Sequence, residues 1–74
     1  MVKILYVVIP CYNEEEVICE TARQLEIKMK DLVRKKKISS KSKVMFVNDG
    51  SKDSTWEKIQ ELHQKNKLFT GLCL

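Results

Sequence analysis

Two polar clusters carry side chains able to recognise a ligand, Pro10-Cys11-Tyr12-Asn13-Glu14 and Asn48-Asp49-Gly50-Ser51. Carboxylates such as Glu14 and Asp49 accept hydrogen bonds from ribose hydroxyls or a base N–H. Tyr12 offers a flat face for base stacking, worth about 1–3 kcal/mol in base–aromatic contacts. The sequence contains neither a G-x-G-x-x-G fingerprint nor a Walker motif, so there is no glycine-rich loop of the kind that cradles phosphates. Glu14, Glu15 and Glu16 at a helix start would repel a phosphate that the helix dipole attracts. The two clusters therefore suit the nucleoside half of a ligand, with its phosphates handled elsewhere.

Alternating strands and helices must position these clusters. Residues 3–9 (KILYVVI) are apolar and β-branched without alternation, the pattern of a parallel strand buried on both faces. Pro10, which has no N–H to donate, is expected to end that ladder. Asn13 with Glu16 reads as a capping box, followed by an apolar stripe through Ile18, Ala22, Leu25, Met29, Leu32 and Val33. The acidic start and the basic end (Arg34, Lys35, Lys36 and Lys37) both suit the helix dipole. A second strand over residues 43–48 (KVMFVN) stops at Asp49-Gly50-Ser51. Ser54 with Glu57 suggests another capping box, and Trp56, Ile59 and Leu62 form a second helical face that ends at Asn66 and Lys67. Residues 68–74 begin a third apolar stretch. The order strand, helix, strand, helix, strand specifies an α/β, three-layer Rossmann-like parallel sheet with right-handed crossovers, here as a truncated part of a larger domain. Ligands of such sheets bind outside the carboxyl ends of the strands, where both clusters fall.

Composition narrows the classes further. In 74 residues, 43% are hydrophobic and 32% charged, which is globular rather than disordered. The net charge of +4, from 14 basic and 10 acidic residues, is a mild excess. Cys11, Cys19 and Cys73 give neither a disulfide framework nor a zinc spacing, as expected of free thiols in a reducing compartment. The longest apolar run, residues 4–9, is far short of the about 20 residues of a membrane span. Tyr12, Asn13 and the three glutamates after that run do not suit a signal-peptide cleavage site.

The segments VVIPCYNEEEVI and VMFVNDGSKDST resemble the amino-terminal part of the family 2 inverting glycosyltransferases, of the dolichol-phosphate mannosyltransferase and bactoprenol glucosyltransferase type. That family ends one strand in P-x-Y-N-E-E and a later one in D-D-G-S-x-D-x-T. The match spans nearly the whole chain, and Asn48 stands where many members carry Asp, a change that keeps a hydrogen-bonding side chain. The resemblance implies a GT-A nucleotide-sugar-binding domain, of which residues 1–74 supply the nucleoside half. Pro10, Tyr12 and Glu14 would line the pocket and Asp49 would contact base or ribose, with Asn48 and Ser51 beside it. It further implies a UDP- or GDP-linked sugar donor, a polyprenyl or dolichyl phosphate acceptor and work at the cytoplasmic side of a membrane. Mg²⁺ or Mn²⁺ would be held by a D-x-D motif beyond this chain, as would the catalytic base. This chain alone is thus expected to be a soluble, metal-free and catalytically inactive segment.

Plainer roles compete for several residues. Glu16 reads as a cap, Asp53 as a helix-start residue, His63 as structural and Trp56 as packing. Cys11 has no histidine-containing constellation around it, which argues against nucleophilic catalysis. The basic run with Lys41 and Lys43 is the basis of an alternative, non-catalytic module for nucleic acid or anionic surfaces. Aromatic residues are not interleaved with it, so nucleic acid is not the expected partner. A phospho-receiver is disfavoured because the first strand ends in Pro10-Cys11-Tyr12 rather than an acidic pair. Finally, with no strand on its outer side, the first strand is an apolar edge through which a homo-oligomer is expected to form.

Overall fold

A computed structural model describes residues 3–74. The chain runs β1 (Tyr6–Cys11), α1 (Ile18–Arg34), β2 (Lys43–Asn48), α2 (Thr55–Lys65) and β3 (Phe69–Cys73). The strands form one parallel sheet in the order β1-β2-β3. This is the Rossmann-like α/β arrangement that the alternating pattern specifies.

Both crossovers advance across the sheet in the same direction. Right-handed connections that do so place both helices on one face. That face carries Val7, Ile9 and Cys11 of β1, in register with Val44, Phe46 and Asn48 of β2 and, beyond them, Phe69, Gly71 and Cys73 of β3. Ile18, Ala22 and Met29 of α1 and Ile59 of α2 complete the buried cluster, with the Phe46 and Phe69 rings 5.8 Å apart at its centre. Gly71 marks the closest approach of α2 to the sheet: a Cβ there would collide with Ile59 Cγ2 and lie 3.2 Å from the Trp56 ring.

The described residues therefore supply two of the three expected layers, sheet and one helix face. The opposite sheet face is open, and Tyr6, Val8 and Leu72 on it are 59%, 57% and 49% exposed. β1 is thus not buried on both faces as its continuous apolar run suggested. Such a run does not distinguish double burial from an apolar outer face.

Local boundaries also differ from expectation for identifiable reasons. β1 begins at Tyr6 rather than Lys3, since Lys3 makes only an isolated bridge to Ile38 and Ser42 Oγ accepts the Leu5 N–H. β1 also runs through Pro10, which pairs with Val47 instead of ending the ladder. The carbonyls of Leu5 and Cys11 accept the N–H groups of Lys43 and Asp49, so alternate residues face β2 and the nitrogen of Pro10 points to the free edge. Proline is tolerated on such an edge because no ladder bond is lost there.

Neither capping box forms. Asn13 adopts φ +49°, outside the extended geometry of a cap, and α1 starts at Ile18 with Val17 at its N-cap. Ser54 is the N-cap of α2 but makes no side-chain cap bond, a role taken by Asp53. At the other end of α1, Lys36 takes a left-handed φ of +60°. Lys36 N–H bonds to Val33 O and Lys37 N–H to Leu32 O, closing a Schellman turn usually made with glycine. Arg34 and Lys35 both pair with Asp31.

The edge geometry narrows the expected self-association. Within β1, Tyr6 and Val8 present both N–H and C=O to the open side, and Pro10 guards the far end. A second copy is expected to pair antiparallel over Tyr6 and Val8, and sedimentation equilibrium at micromolar concentration should give a dimer that Val8→Lys abolishes. A wild-type chain that remains folded and monomeric would rule this out.

Candidate functional site

The two strand-end loops meet at the carboxyl edge of the sheet and are joined by hydrogen bonds. Ser51 Oγ accepts the Asn13 N–H at 2.9 Å, and Thr55 Oγ1 accepts the Glu14 N–H at 2.8 Å. Asp53 Oδ2 accepts the Glu15 N–H at 3.4 Å. In return, Asn13 Oδ1 accepts the Lys52 N–H at 2.8 Å. The alternate side chains of the S-x-D-x-T stretch thus hold the N–H groups of residues 13, 14 and 15. The main chain needs such partners here. Glu14 O already accepts from Val17 and Ile18, so the turn before α1 leaves its own N–H groups without helical acceptors.

Thr55 is the fully buried centre of this staple, and its hydroxyl also donates to Asp53 Oδ1. Asp53 Oδ1 accepts the Thr55 N–H at 3.0 Å as well. These donors hold the Asp53 carboxyl below the ordinary aspartate range, the Thr55 hydroxyl contributing most. Asp53 is accordingly a helix-start and loop-joining residue, in line with its plain reading.

The sequence-chosen residues separate into two groups. Asn48 is buried. Its Oδ1 accepts the Ser51 N–H at 3.3 Å and its Nδ2 faces Cys73 Sγ at 3.4 Å. A neutral amide suits this position better than a carboxylate, because an ionised group would be desolvated next to a thiol without a cationic partner. Ser51 is occupied by the Asn13 N–H. Tyr12 and Asp49, by contrast, are exposed and Glu14 is half-buried, while the hydrogen bonds of the two loops run through other side chains and the main chain. Pro10 is exposed beside them on the outer face of β1. The surface they form is an open ledge, not a closed cavity.

Cys11 lies beneath the ledge, 2% exposed, with its Sγ 3.6 Å from Ile9 O. Burial, then the nearby Glu14 carboxylate, pushes its thiol pKa up, the opposite of nucleophile activation. His63 bonds through Nδ1 to Phe69 O at 2.8 Å, tying α2 to β3. Among the described residues no three His, Cys, Asp or Glu side chains converge as a metal-binding group. What sequence reasoning missed is Thr55, whose only signal is its place two residues after Asp53 in the motif.

The pattern of glycosyl transferase family 2 matches residues 6–72, and the chain belongs to that family. The chain is also 49% identical over 71 residues to an uncharacterized glycosyltransferase, YkoT, of Bacillus subtilis (strain 168). That alignment covers 96% of this chain but 21% of the relative, so the chain spans about a fifth of its length. Among the described residues no helix is long and apolar enough to cross a membrane.

The lowered pKa of Asp53 has a definite sign. A carboxylate with a depressed folded-state pKa stabilises the fold above its unfolded value, and that contribution is lost as pH falls through the folded value. Urea midpoints should therefore decline as pH drops below about 4. Asp53→Asn should lower the midpoint at neutral pH and flatten the decline, which Glu20 and Asp31, also lowered, would partly retain. A variant whose profile runs parallel to wild type would contradict the assigned role.

Proposed function

We propose that this member of glycosyl transferase family 2 supplies the nucleoside-binding surface of an enzyme that transfers a sugar from a UDP- or GDP-linked donor to a polyprenyl or dolichyl phosphate. One observation carries the reading. Tyr12, Glu14 and Asp49 are grouped at the carboxyl ends of β1 and β2 with their side chains left available, on loops that are themselves immobilised by the Ser51, Asp53 and Thr55 bonds. Ligands of open α/β sheets bind at that edge. In this reading Tyr12 stacks on the base, and Glu14 and Asp49 accept hydrogen bonds from base or ribose. Asn48 and Ser51 support the ledge from below, and Pro10 shapes its rim.

Pre-organisation is the physical contribution of the staple. A loop already fixed in its bound shape loses less entropy when the ligand arrives. The diphosphate, the metal that neutralises it and the base that activates the acceptor belong to other parts of the enzyme. A lipid phosphate acceptor would bring the whole enzyme to the cytoplasmic side of a membrane. The nucleic-acid alternative has less support, since Arg34 and Lys35 of the basic run are both paired with Asp31.

The test is an NMR titration of the chain with UDP and with GDP. Half a pocket gains only part of the contacts, so binding should be about millimolar or weaker, with shifts centred on Tyr12, Glu14 and Asp49. Tyr12→Ala should weaken it about fivefold or more, the loss of one base–aromatic stack. Shifts centred on Arg34, Lys35, Lys36 and Lys37 would instead favour the anionic-surface reading.

A further inference from the structure

The opposite end of the sheet holds a groove that the nucleotide reading does not use. It has a volume of about 310 Å³ and lies between the last turns of α1, the start of β2 and the α2–β3 connection. It is lined by the apolar Met29, Val33 and Leu68, by the lysines Lys30, Lys43 and Lys67, and by Ser40, Ser42 and Asn66 between them. At this size it falls at the lower end of small-molecule sites.

The lysine charge is only partly neutralised. Among the described residues Glu26 is the carboxylate bonded there, with Oε2 2.8 Å from Lys30 Nζ and accepting Asn66 Nδ2 at 3.0 Å. Lys43 Nζ donates to the Lys67 carbonyl, which uses one of its three protons. The Lys67 side chain is exposed and joins none of the ion pairs among the described residues. Carbonyls at the end of α1, which would otherwise oppose an anion, are taken by Lys36 and Lys37 N–H.

We infer that this groove binds an anionic amphiphile, a phosphate or carboxylate head joined to a short apolar chain. The lysine ammonium groups would hold the head, and the half-buried Val33 and Leu68 would cover the chain. A polar anion would leave the apolar lining unused, and a neutral apolar compound would leave the lysines unmatched. β2 separates Lys43 in this groove from Asp49 by roughly 20 Å, at about 3.3 Å per residue. The ligand is therefore not a reactant of the nucleotide ledge, and the inference stands independently of that reading.

The experiment is an NMR titration of the chain with three probes: octyl phosphate below its micelle concentration, inorganic phosphate, and octyl glucoside. Octyl phosphate should shift Met29, Val33, Lys43, Lys67 and Leu68 and leave Tyr12 and Asp49 unmoved. It should bind at least about tenfold more tightly than inorganic phosphate, from burial of a few methylene groups. Octyl glucoside should not bind. Lys67→Glu, in an exposed connection that does not threaten folding, should weaken octyl phosphate about fivefold. Parallel sedimentation with phosphatidylglycerol and phosphatidylcholine vesicles separates the sources. Binding to the anionic vesicles that is lost in Lys67→Glu identifies a membrane lipid, whereas binding of the monomer alone identifies a free metabolite, and either supports the site. Equal affinity for phosphate and octyl phosphate, shifts outside the groove, or an indifferent Lys67→Glu variant would overturn it.

Discussion

The bonds from Ser51, Asp53 and Thr55 to the main chain of residues 13 to 15 are the constraint on which the rest depends. The chain leaves β1 and must turn before α1, and it does so through a left-handed Asn13. The N–H groups beyond that turn precede the helix and have no helical acceptors. A segment 38 to 41 residues further on supplies them. Because the acceptors lie in the loop before α2 and at its first residue, the same contacts tie the chain ahead of α1 to the start of α2. They also fix the distance between the strand ends, so Tyr12, Glu14 and Asp49 share one ledge as a consequence of backbone satisfaction. Leaving such groups unpaired would cost about 1–3 kcal/mol each where buried, large against the stability of a domain this small.

Below the staple, packing supports the same geometry from one side only. Phe46 and Phe69 form the centre of the covered face, and Gly71 lets α2 lie close enough for Ile59 and Trp56 to seal it. The outer face retains Tyr6, Val8 and Leu72 in the open. Asn48 joins the two systems: its side chain holds the Ser51 turn and faces Cys73, and its carbonyl accepts the Leu74 N–H. A single buried amide thereby couples the β2 terminus to the third strand and to the loop bearing Asp49.

Much of this was legible in the sequence. The element order, the strand adjacency and the stripe through Ile18, Ala22 and Met29 follow from periodicity, which packing enforces directly. The structural role of His63 followed from the lack of ligand-spaced partners. Boundaries were less legible, because they depend on long-range bonds. Asn13 and Glu16 have the spacing of a capping box, yet Asn13 is drawn into a left-handed turn by Ser51 and Lys52. Pro10 reads as a strand terminator until the register places its nitrogen on the free edge. The strand-end clusters were legible by residue type, but sequence alone did not separate the side chains left exposed from those that hold the loop. Asn48 and Ser51 have polar side chains like Asp49, and only the structure shows that theirs bond within the two loops. The open outer face of β1 was hidden because an apolar run has the same composition whether one face or both are covered.

Amide hydrogen exchange at Asn13, Glu14 and Glu15 tests the central claim most directly. If the staple exists, these three amides exchange at least about tenfold more slowly than expected for an unstructured chain, since each requires an opening of the loop. Thr55→Val should then release Glu14 while the β2 amides of Val44 and Phe46 remain protected. Exchange of all three at unstructured-chain rates in a folded protein, with the sheet protected, would contradict the account.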